Sequence, residues 1–508
     1  MSASLAVTSG QIAFTEIPYV WRVPGTYMEV KPALNQNAIM PFPVQGLILG
    51  QMYATGTATP GVPYPLYTKD QANQLFGAGS QAALMAAIWL ANNPYTKVWI
   101  IGIADATGSV KAAGGVAISG TATQAATWPF YFGGVRVAVP VNVGDTAADV
   151  AANLYAQMQL QGQSGYPYLP YLVPSYVAAA SSVTLTCGHG GTVGNEIDIR
   201  VNARPGEATP PGLTVTITPM SGGATDPDAA ISAALDALSS TWYNDVVFPW
   251  TDSTNLPVFI TWLADRYDAM AKLDAQGYVP CTGTYGTVLA FEPNSQYITT
   301  LPFQNPMTPG CLSATALGAQ CCYWTAQAPS LQLKTVPLVG VVAPAQVDQF
   351  SPAENETLLQ AGLSTYYTDD LGNVYLLRVV TTRRTDATGA LTDAFFDISS
   401  TKVPTRVRYD WDTYCSEVWP RNHLCDDGSI AADYDPWAVT PRVVTTSWTA
   451  RSTLYEQQGW IKNSAATAKA SSFAIDPNDS NRLNGRQQID IMGNLMVLAG
   501  SLEFLSNN

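Results

Sequence analysis

The hydrophobic period changes twice along this chain, near Asp105 and again near Gly222, and one layer of packed structure cannot carry both patterns. Before Asp105, apolar runs alternate with helical stretches. "VQGLILGQM" (44–52) reads as a nearly continuous apolar strand, and "TKDQANQLFG" (68–77) as a short helix stopped by glycine. "SQAALMAAIWLANNP" (80–94) is a second helix, capped by Ser80 and ended before Pro94. It is apolar almost all round, so it belongs between two layers. "VWIIGI" (98–103) follows as a buried strand.

From 106 to 221 the period is two. "SVTLT" (182–186) places Val183 and Leu185 on one face. "EIDIRVN" (196–202) places Ile197, Ile199 and Val201 on one face and Glu196, Asp198 and Arg200 on the other, and "LTVTIT" (213–218) repeats the pattern. Such alternation marks half-exposed antiparallel strands. One helix interrupts them, "DTAADVAANLYAQMQ" (145–159), with Thr146 and Asp149 spaced for a capping box.

After "GGATDPD" (222–228) strands and helices alternate again. "AAISAALDALSS" is a helix, and "DVVFPW" (245–250) and "GYVPC" (277–281) are strands. The helix between them carries Leu256, Phe259, Ile260, Leu263, Tyr267 and Met270 on one face. This order suggests a mainly parallel sheet covered by helices. "SPAENETLLQAG" (351–362) has Ser351, Pro352, Glu354 and Gly362 at capping positions, and "TPRVVTTSWTARSTLYEQQG" (440–459) is framed by Thr440, Pro441 and Gly459. The tail "QQIDIMGNLMVLAGSLEFLSNN" ends in an apolar, strand-like stretch.

Composition narrows the function classes. Charged residues are only 12% of 508, which suggests surface buried against other subunits. The net charge is −14 with no basic stripe, so nucleic acid is not an expected partner. No run approaches the ~18 apolar residues of a membrane span, and the first residues lack a secretory n-region and h-region. The seven cysteines form no C-x-x-C pair, and adjacent Cys321 and Cys322 would point about 100° apart on a helix. Free thiols in a reducing compartment are expected.

"CGHGGTVGNEIDIR" (187–200) looks at first like a nucleotide loop. A dinucleotide fingerprint needs its third glycine at 193, where valine stands, and a helix to follow. The residues that follow have period two, so a strand–turn–strand connection is expected, with His189 at an exposed turn. A Walker-type loop and G-x-S-x-G are absent from the sequence. His423 lies beside Cys425, Asp426 and Asp427 in "VWPRNHLCDDGS", yet one histidine and adjacent carboxylates in a turn are more often a locally bonded loop than a metal site. Arg383 and Arg384 could clamp an anion, but structural or intersubunit ion pairs are the simpler expectation. The 13 Trp and 25 Tyr show no repeated motif, so packing explains them better than a carbohydrate groove. No catalytic, cofactor-binding or metal-binding residue is assigned.

The order of motifs adds a resemblance. "IPYVWRVPGTYMEV" (17–30), "GTATPGVPYPLYTKDQANQLFGAGSQAALMAAIWLANNPYTKVWII" (56–101), "GHGGTVGNEIDIRVNARPGEATPPGLTVTITPMSGGATDPD" (188–228), "WYNDVVFPWTD" (242–252), "LVGVVAPAQVDQFSPAENETLLQAGLSTYY" (338–367), "WPRNHLCDDG" (419–428) and "DPNDSNRL" (476–483) occur in one collinear series. In this series the chain resembles the contractile tail sheath proteins of Mu-like bacteriophages over nearly its whole length.

The resemblance implies a mixed α/β multidomain fold. An N-terminal arm (1–30) precedes a mixed core built from 31–105 and a tube-facing part, 376–488. A β-sandwich-like outer domain (106–221) and a domain of subtilisin-like topology without catalytic residues (222–375) lie between, and a C-terminal arm (489–508) closes the chain. It implies a structural subunit of the virion, assembled in the host bacterial cytoplasm as stacked hexameric rings around a tail tube protein, with baseplate and tail terminator proteins as further partners. No nucleic acid and no direct membrane insertion are implied. Contraction from a metastable extended state would need no fuel, in keeping with the missing nucleotide loop. Both arms are expected to add strands to neighbouring subunits, burying Val23, Tyr27, Val30, Leu495, Val497, Leu498, Leu502 and Phe504. The alternatives are the sheath of a phage-tail-like bacteriocin and, of another class, a subtilisin-fold hydrolase, which would need His189 or His423 in a triad.

Overall fold

The computed structural model describes residues 22–28, 39–163, 166–238 and 240–503. The chain divides into two units, Met1–Met40 and Pro41–Asn508. In the first, residues 22–28 have no regular structure, and the Tyr27 hydroxyl donates to the Val23 carbonyl at 3.4 Å.

The second unit begins with β1 (Gln45–Gln51), β2 (Pro63–Leu66), α1 (Lys69–Phe76), α2 (Gln81–Asn92) and β3 (Lys97–Ile103). Thr68 and Ser80 accept backbone N–H groups at the two helix starts, which satisfies donors the helices cannot. The period-two region gives β4 (Lys111–Gly120), β5 (Ala126–Phe132), β6 (Val135–Val141), α3 (Ala147–Leu160), β7 (Leu172–Tyr176), β8 (Ser182–Gly190), β9 (Ile199–Val201) and β10 (Leu213–Ser221). They form a four-stranded sheet, β10-β4-β8-β7, and a three-stranded sheet, β6-β5-β9, antiparallel throughout. Val116 and Leu185 from one sheet, Phe130 and Val139 from the other, and Val150 and Leu154 of α3 share one core.

The alternating region then supplies α4 (Asp228–Asp236), β11 (Asp245–Val247), α5 (Asn255–Tyr267), β12 (Gln276–Gly283), α6 (Tyr285–Leu289), β13 (Ile298–Gln304) and α7 (Gly310–Gln327). These strands do not make a sheet of their own. The order is β13-β12-β11-β1-β3-β2, with β1 parallel to both β3 and β11 and β2 antiparallel at the edge. Backbone hydrogen bonds therefore join the segments 31–105 and 222–375 in one sheet, with β1, buried along nearly its whole length, paired on both sides. Leu47, Leu49 and Ile101 face α4 and α5, whereas Ile48, Ile100 and Val247 face α2 and α7. Gly46 lets the Trp89 ring of α2 lie against the sheet, since a Cβ there would stand 2.4 Å from Cζ2.

The remainder contains α8 (Pro352–Gln360), β14 (Thr365–Thr368), β15 (Val374–Arg378), α9 (Ser399–Val418), β16 (His423–Leu424), α10 (Ile430–Tyr434), β17 (Ala438–Val439), α11 (Pro441–Gln457), α12 (Ser464–Ala470), β18 (Ser472–Asp476) and β19 (Asp479–Arg486). The two predicted capping boxes, Thr146 with Asp149 and Ser351 with Glu354, are both present. Two local expectations differ. α5 ends at Tyr267, and Met270 beyond it is exposed. The apolar tail is not a strand within this chain: Ile491 bridges Ile461, and residues 493–503 have no regular structure. A strand needs a partner to bond, and none of the described residues pairs with 493–503 as one.

Candidate functional site

The glycine-rich stretch is part of a strand. β8 runs through Gly190, and only then does the chain turn, at Gly191 with φ +96° and a 3-10 turn over Thr192–Glu196. His189 is consequently not at an exposed turn, and that expectation is overturned: it is 0% exposed. The sequence held the signal, because the parity that puts Val183 and Leu185 inward also puts Cys187 and His189 inward.

Around His189 four segments meet. Its Nε2 accepts the Gln81 N–H at 3.0 Å, at the start of α2. That fixes the proton on Nδ1, which donates to Asp105 Oδ1 at 3.1 Å. Asp105 Oδ2 accepts the Gly190 N–H at 2.8 Å. The Gln51 side chain donates to Asp105 Oδ1 at 2.9 Å and to the Gly190 carbonyl at 2.8 Å, while its backbone N–H donates to Gln81 Oε1 at 2.8 Å. Burial pushes the His189 imidazole below its ordinary range, and the Asp105 carboxylate offsets only part of this. Burial would raise Asp105, but hydrogen bonds from His189, Gly190 and Gln51 outweigh it and hold the carboxyl low. The ring stacks on Tyr53, 4.5 Å between centroids. A neutral imidazole with both nitrogens bonded is a structural tie between segments. It has no serine nucleophile among its hydrogen-bond partners.

The second histidine is apart from it. His423 is exposed and its Nε2 lies 3.9 Å from Asp435, while the Asp427 carboxylate accepts the Arg442 N–H at 2.9 Å. Among the described residues no group of three His, Cys, Asp or Glu side chains converges for a metal. Arg383 and Arg384 serve structure: Arg383 donates to Gln296 at 2.9 Å, and Arg384 lies 3.5 Å from Asp393 and over the Phe396 ring. All seven cysteines are free. Among the described residues no helix is long and apolar enough to cross a membrane.

Sequence reasoning missed a seam of buried charge. Lys402 of α9 donates to Asp245 Oδ1 at 2.6 Å, and the Tyr278 hydroxyl donates to the same oxygen at 2.6 Å. Farther along α9, the Thr405 hydroxyl donates to Asp274 at 2.7 Å, and Arg408 pairs with the same carboxylate. Asp410, Arg451 and Tyr455 form a further buried cluster between α9 and α11. These contacts fix α9 to the sheet and α11 to α9, and no spacing in the sequence announces them.

The terminal apolar residues behave otherwise. Val23 and Tyr27 are exposed, and Leu495, Val497, Leu498 and Leu502 are 79%, 79%, 86% and 97% exposed. Val30 and Phe504 lie outside the described residues. His189 is thus buried and bonded at both nitrogens, whereas apolar side chains near both described ends stand uncovered, the kind of surface that marks an interaction site.

No protein-family model matches the chain. It is 29% identical over 499 residues to the Mu-like prophage FluMu tail sheath protein of Haemophilus influenzae, an alignment that spans 97% of this chain and 99% of that protein. The chain is thus similar to a Mu-like tail sheath protein over nearly its whole length. The similarity supports a structural tail sheath subunit. Among solved structures, a sheath tail protein of Desulfitobacterium hafniense is 11% identical, with TM-score 0.47, over 92% of this chain and all (100%) of that one. A sheath tail protein of Listeria innocua is 10% identical, with TM-score 0.48, over 89% and 92% of the two chains. The contracted sheath complex of an extracellular contractile injection system gives 9% identity and TM-score 0.41 over 95% and 98%.

Proposed function

We propose that this chain is a structural tail sheath subunit that stacks as six-membered rings around an inner tail tube. The stack is held in a metastable extended lattice that shortens on a baseplate signal and drives the tube through the host envelope. Assembly takes place in the host cytoplasm, and a terminator protein caps the stack. In this reading residues 376–488 face the tube, 106–221 lie outside, and 222–375 keep a subtilisin-like topology without its chemistry. The energy comes from the difference between two packings of the same subunits.

The observation that carries the reading is the uncovered apolar tail. Leu495, Val497, Leu498 and Leu502 are all exposed on a segment with no strand partner of its own. Val23 and Tyr27, near the other end, are exposed as well. In a neighbour's sheet these segments gain backbone partners and hide their apolar side chains together.

The test is electron microscopy of the purified full-length chain beside one ending at Gly493, which keeps the Ile461–Ile491 bridge. Full-length chain, with its tube if a template is required, forms hollow tubes of stacked rings. The shortened chain melts at the same temperature and stays unassembled. Tubes of equal length from the shortened chain would overturn the arm assignment.

A further inference from the structure

The chain leaves the six-stranded layer at Asp105 and enters the two-sheet region beyond it. The histidine tie stands at that exit and binds β8 of the insertion to three parts of the other layer: the end of β1, the start of α2 and Asp105 after β3. We propose that this tie is an acid-sensitive latch: with a neutral imidazole it holds the β-rich insertion onto α2, and proton uptake at Nε2 releases it.

The geometry makes the two protonation states unequal at one atom. Nε2 is an acceptor for a backbone N–H at the first residue of α2. A proton there would set donor against donor, and would place a positive charge at the positive end of a 12-residue helix. The groups facing the ring from the packed elements are few. Asp105 faces it from the end of β3 and favours the imidazolium. Lys111 of β4, whose Nζ donates to the Gly188 carbonyl at 2.7 Å, opposes it. Tyr53 is stacked on the ring, Tyr171 lies 5.9 Å away before β7, and Cys187 sits on the same strand. α2 contributes no charged side chain.

Burial holds the folded imidazole below its ordinary value. The released state therefore binds the proton more readily than the latched one. The latch is intact above the ordinary histidine range of about 6.5 and weakens as pH falls from there toward the folded value. Across that window each pH unit shifts the opening equilibrium about tenfold.

The chain has two histidines, and the second, His423, is exposed, so it serves as an internal control. The experiment is hydrogen exchange read by mass spectrometry on the full-length chain from about pH 8 to about pH 5, corrected for the intrinsic rate and spanning the ordinary histidine range. Peptides over 79–84 and 188–192 open more at the acid end, while the buried α7 does not change. In His189→Gln the 79–84 profile is flat. Selective histidine labelling in the wild type then shows His189 titrating where 79–84 opens. An unchanged wild-type profile overturns the latch, as does an equal rise over α7 or the same rise in His189→Gln. If His189→Gln does not fold, the wild-type comparison of 79–84 with α7, together with the histidine titration, decides alone.

Discussion

Replacing Lys402 by methionine tests whether the seam between α9 and the sheet is held by charge. Lys402 Nζ and Asp245 Oδ1 are 2.6 Å apart, with the side chains 11% and 1% exposed. At an effective dielectric of about 20, opposite charges at that 2.6 Å separation attract by roughly 6 kcal/mol. Removing Lys402 also removes its own desolvation cost, so the net loss is smaller, about 3–5 kcal/mol, the range for breaking a buried pair from one side. Asp245 is then left with the Tyr278 hydroxyl as its donor from β12. Asp245→Asn alone strands the ammonium and is costly too. The double variant removes both charges, and its loss falls well below the sum of the two singles. The assay is urea unfolding of the unassembled chain followed by circular dichroism, with midpoint shifts converted through the slope of the first transition. A Lys402→Met loss under about 1 kcal/mol would refute the reasoning, because it would place the pair in the exposed class. Additive single losses would refute it as well, since the two residues would then not act as a pair.

Three further outcomes follow from the structure. Gly46→Val drives side-chain atoms into the Trp89 ring, where even a Cβ would stand 2.4 Å from Cζ2, and costs about 1–3 kcal/mol in the same assay. A loss within error would mean that α2 can withdraw from the sheet freely. Ser351→Ala removes the cap of α8 and costs about 1 kcal/mol. Hydrogen bonds from Ser351 hold Glu354 below its ordinary value, so this cap is complete above the ordinary glutamate range and frays as pH falls through it. Exchange of the first α8 amides then rises in acid in the wild type, and the step is smaller in the variant, which keeps only the backbone N–H of residue 351 as a donor to Glu354. Finally, burial pushes the Cys187 thiol up to about 11 and those of Cys281, Cys311 and Cys415 up to about 12, and it raises Cys321 and Cys322 further. A thiol reagent at mildly alkaline pH modifies Cys425 first, and Cys425→Ser abolishes the fast phase. Two or more fast thiols in the native chain would contradict the burial.

The parts legible in the sequence were those decided within a few residues. Thr146 with Asp149 and Ser351 with Glu354 close their boxes over three residues, and both formed as spaced. The alternation from Val183 onward placed the β8 side chains, and it would have placed His189 inward had the glycines not suggested a turn. Glycine within a strand marks close approach as readily as reversal. Gly188 lies against Tyr53, where a Cβ would meet the hydroxyl at 2.2 Å. What was not legible depends on distance along the chain. Nothing near Gln45 announces Asn244, and nothing near Lys402 announces Asp245. Burial of that charged pair follows from the whole fold. The tail from Leu495 to Leu502 was legible only as apolar and extended, because a strand is completed by its partner and no described residue pairs with it.

The order in which a ribosome delivers this chain gives the six-stranded layer a vulnerable interval. β1 has β3 beside it almost at once, but its other edge waits for β11, and the Gln45 N–H finds its Asn244 acceptor 199 residues later. At bacterial or slower synthesis rates those 199 residues occupy roughly 10 to 40 s. Throughout that time a strand with Leu47, Ile48 and Leu49 stands open along its backbone, the kind of edge that invites another chain. The residues made meanwhile are those of the insertion, which carries its own core of two sheets and α3. It can fold while the nascent half-layer waits, and it stays tethered beside that edge through Asp105 and Gln51. In a cell filling with copies of a chain meant to polymerise, an insertion that matures early would double as a shield against premature pairing.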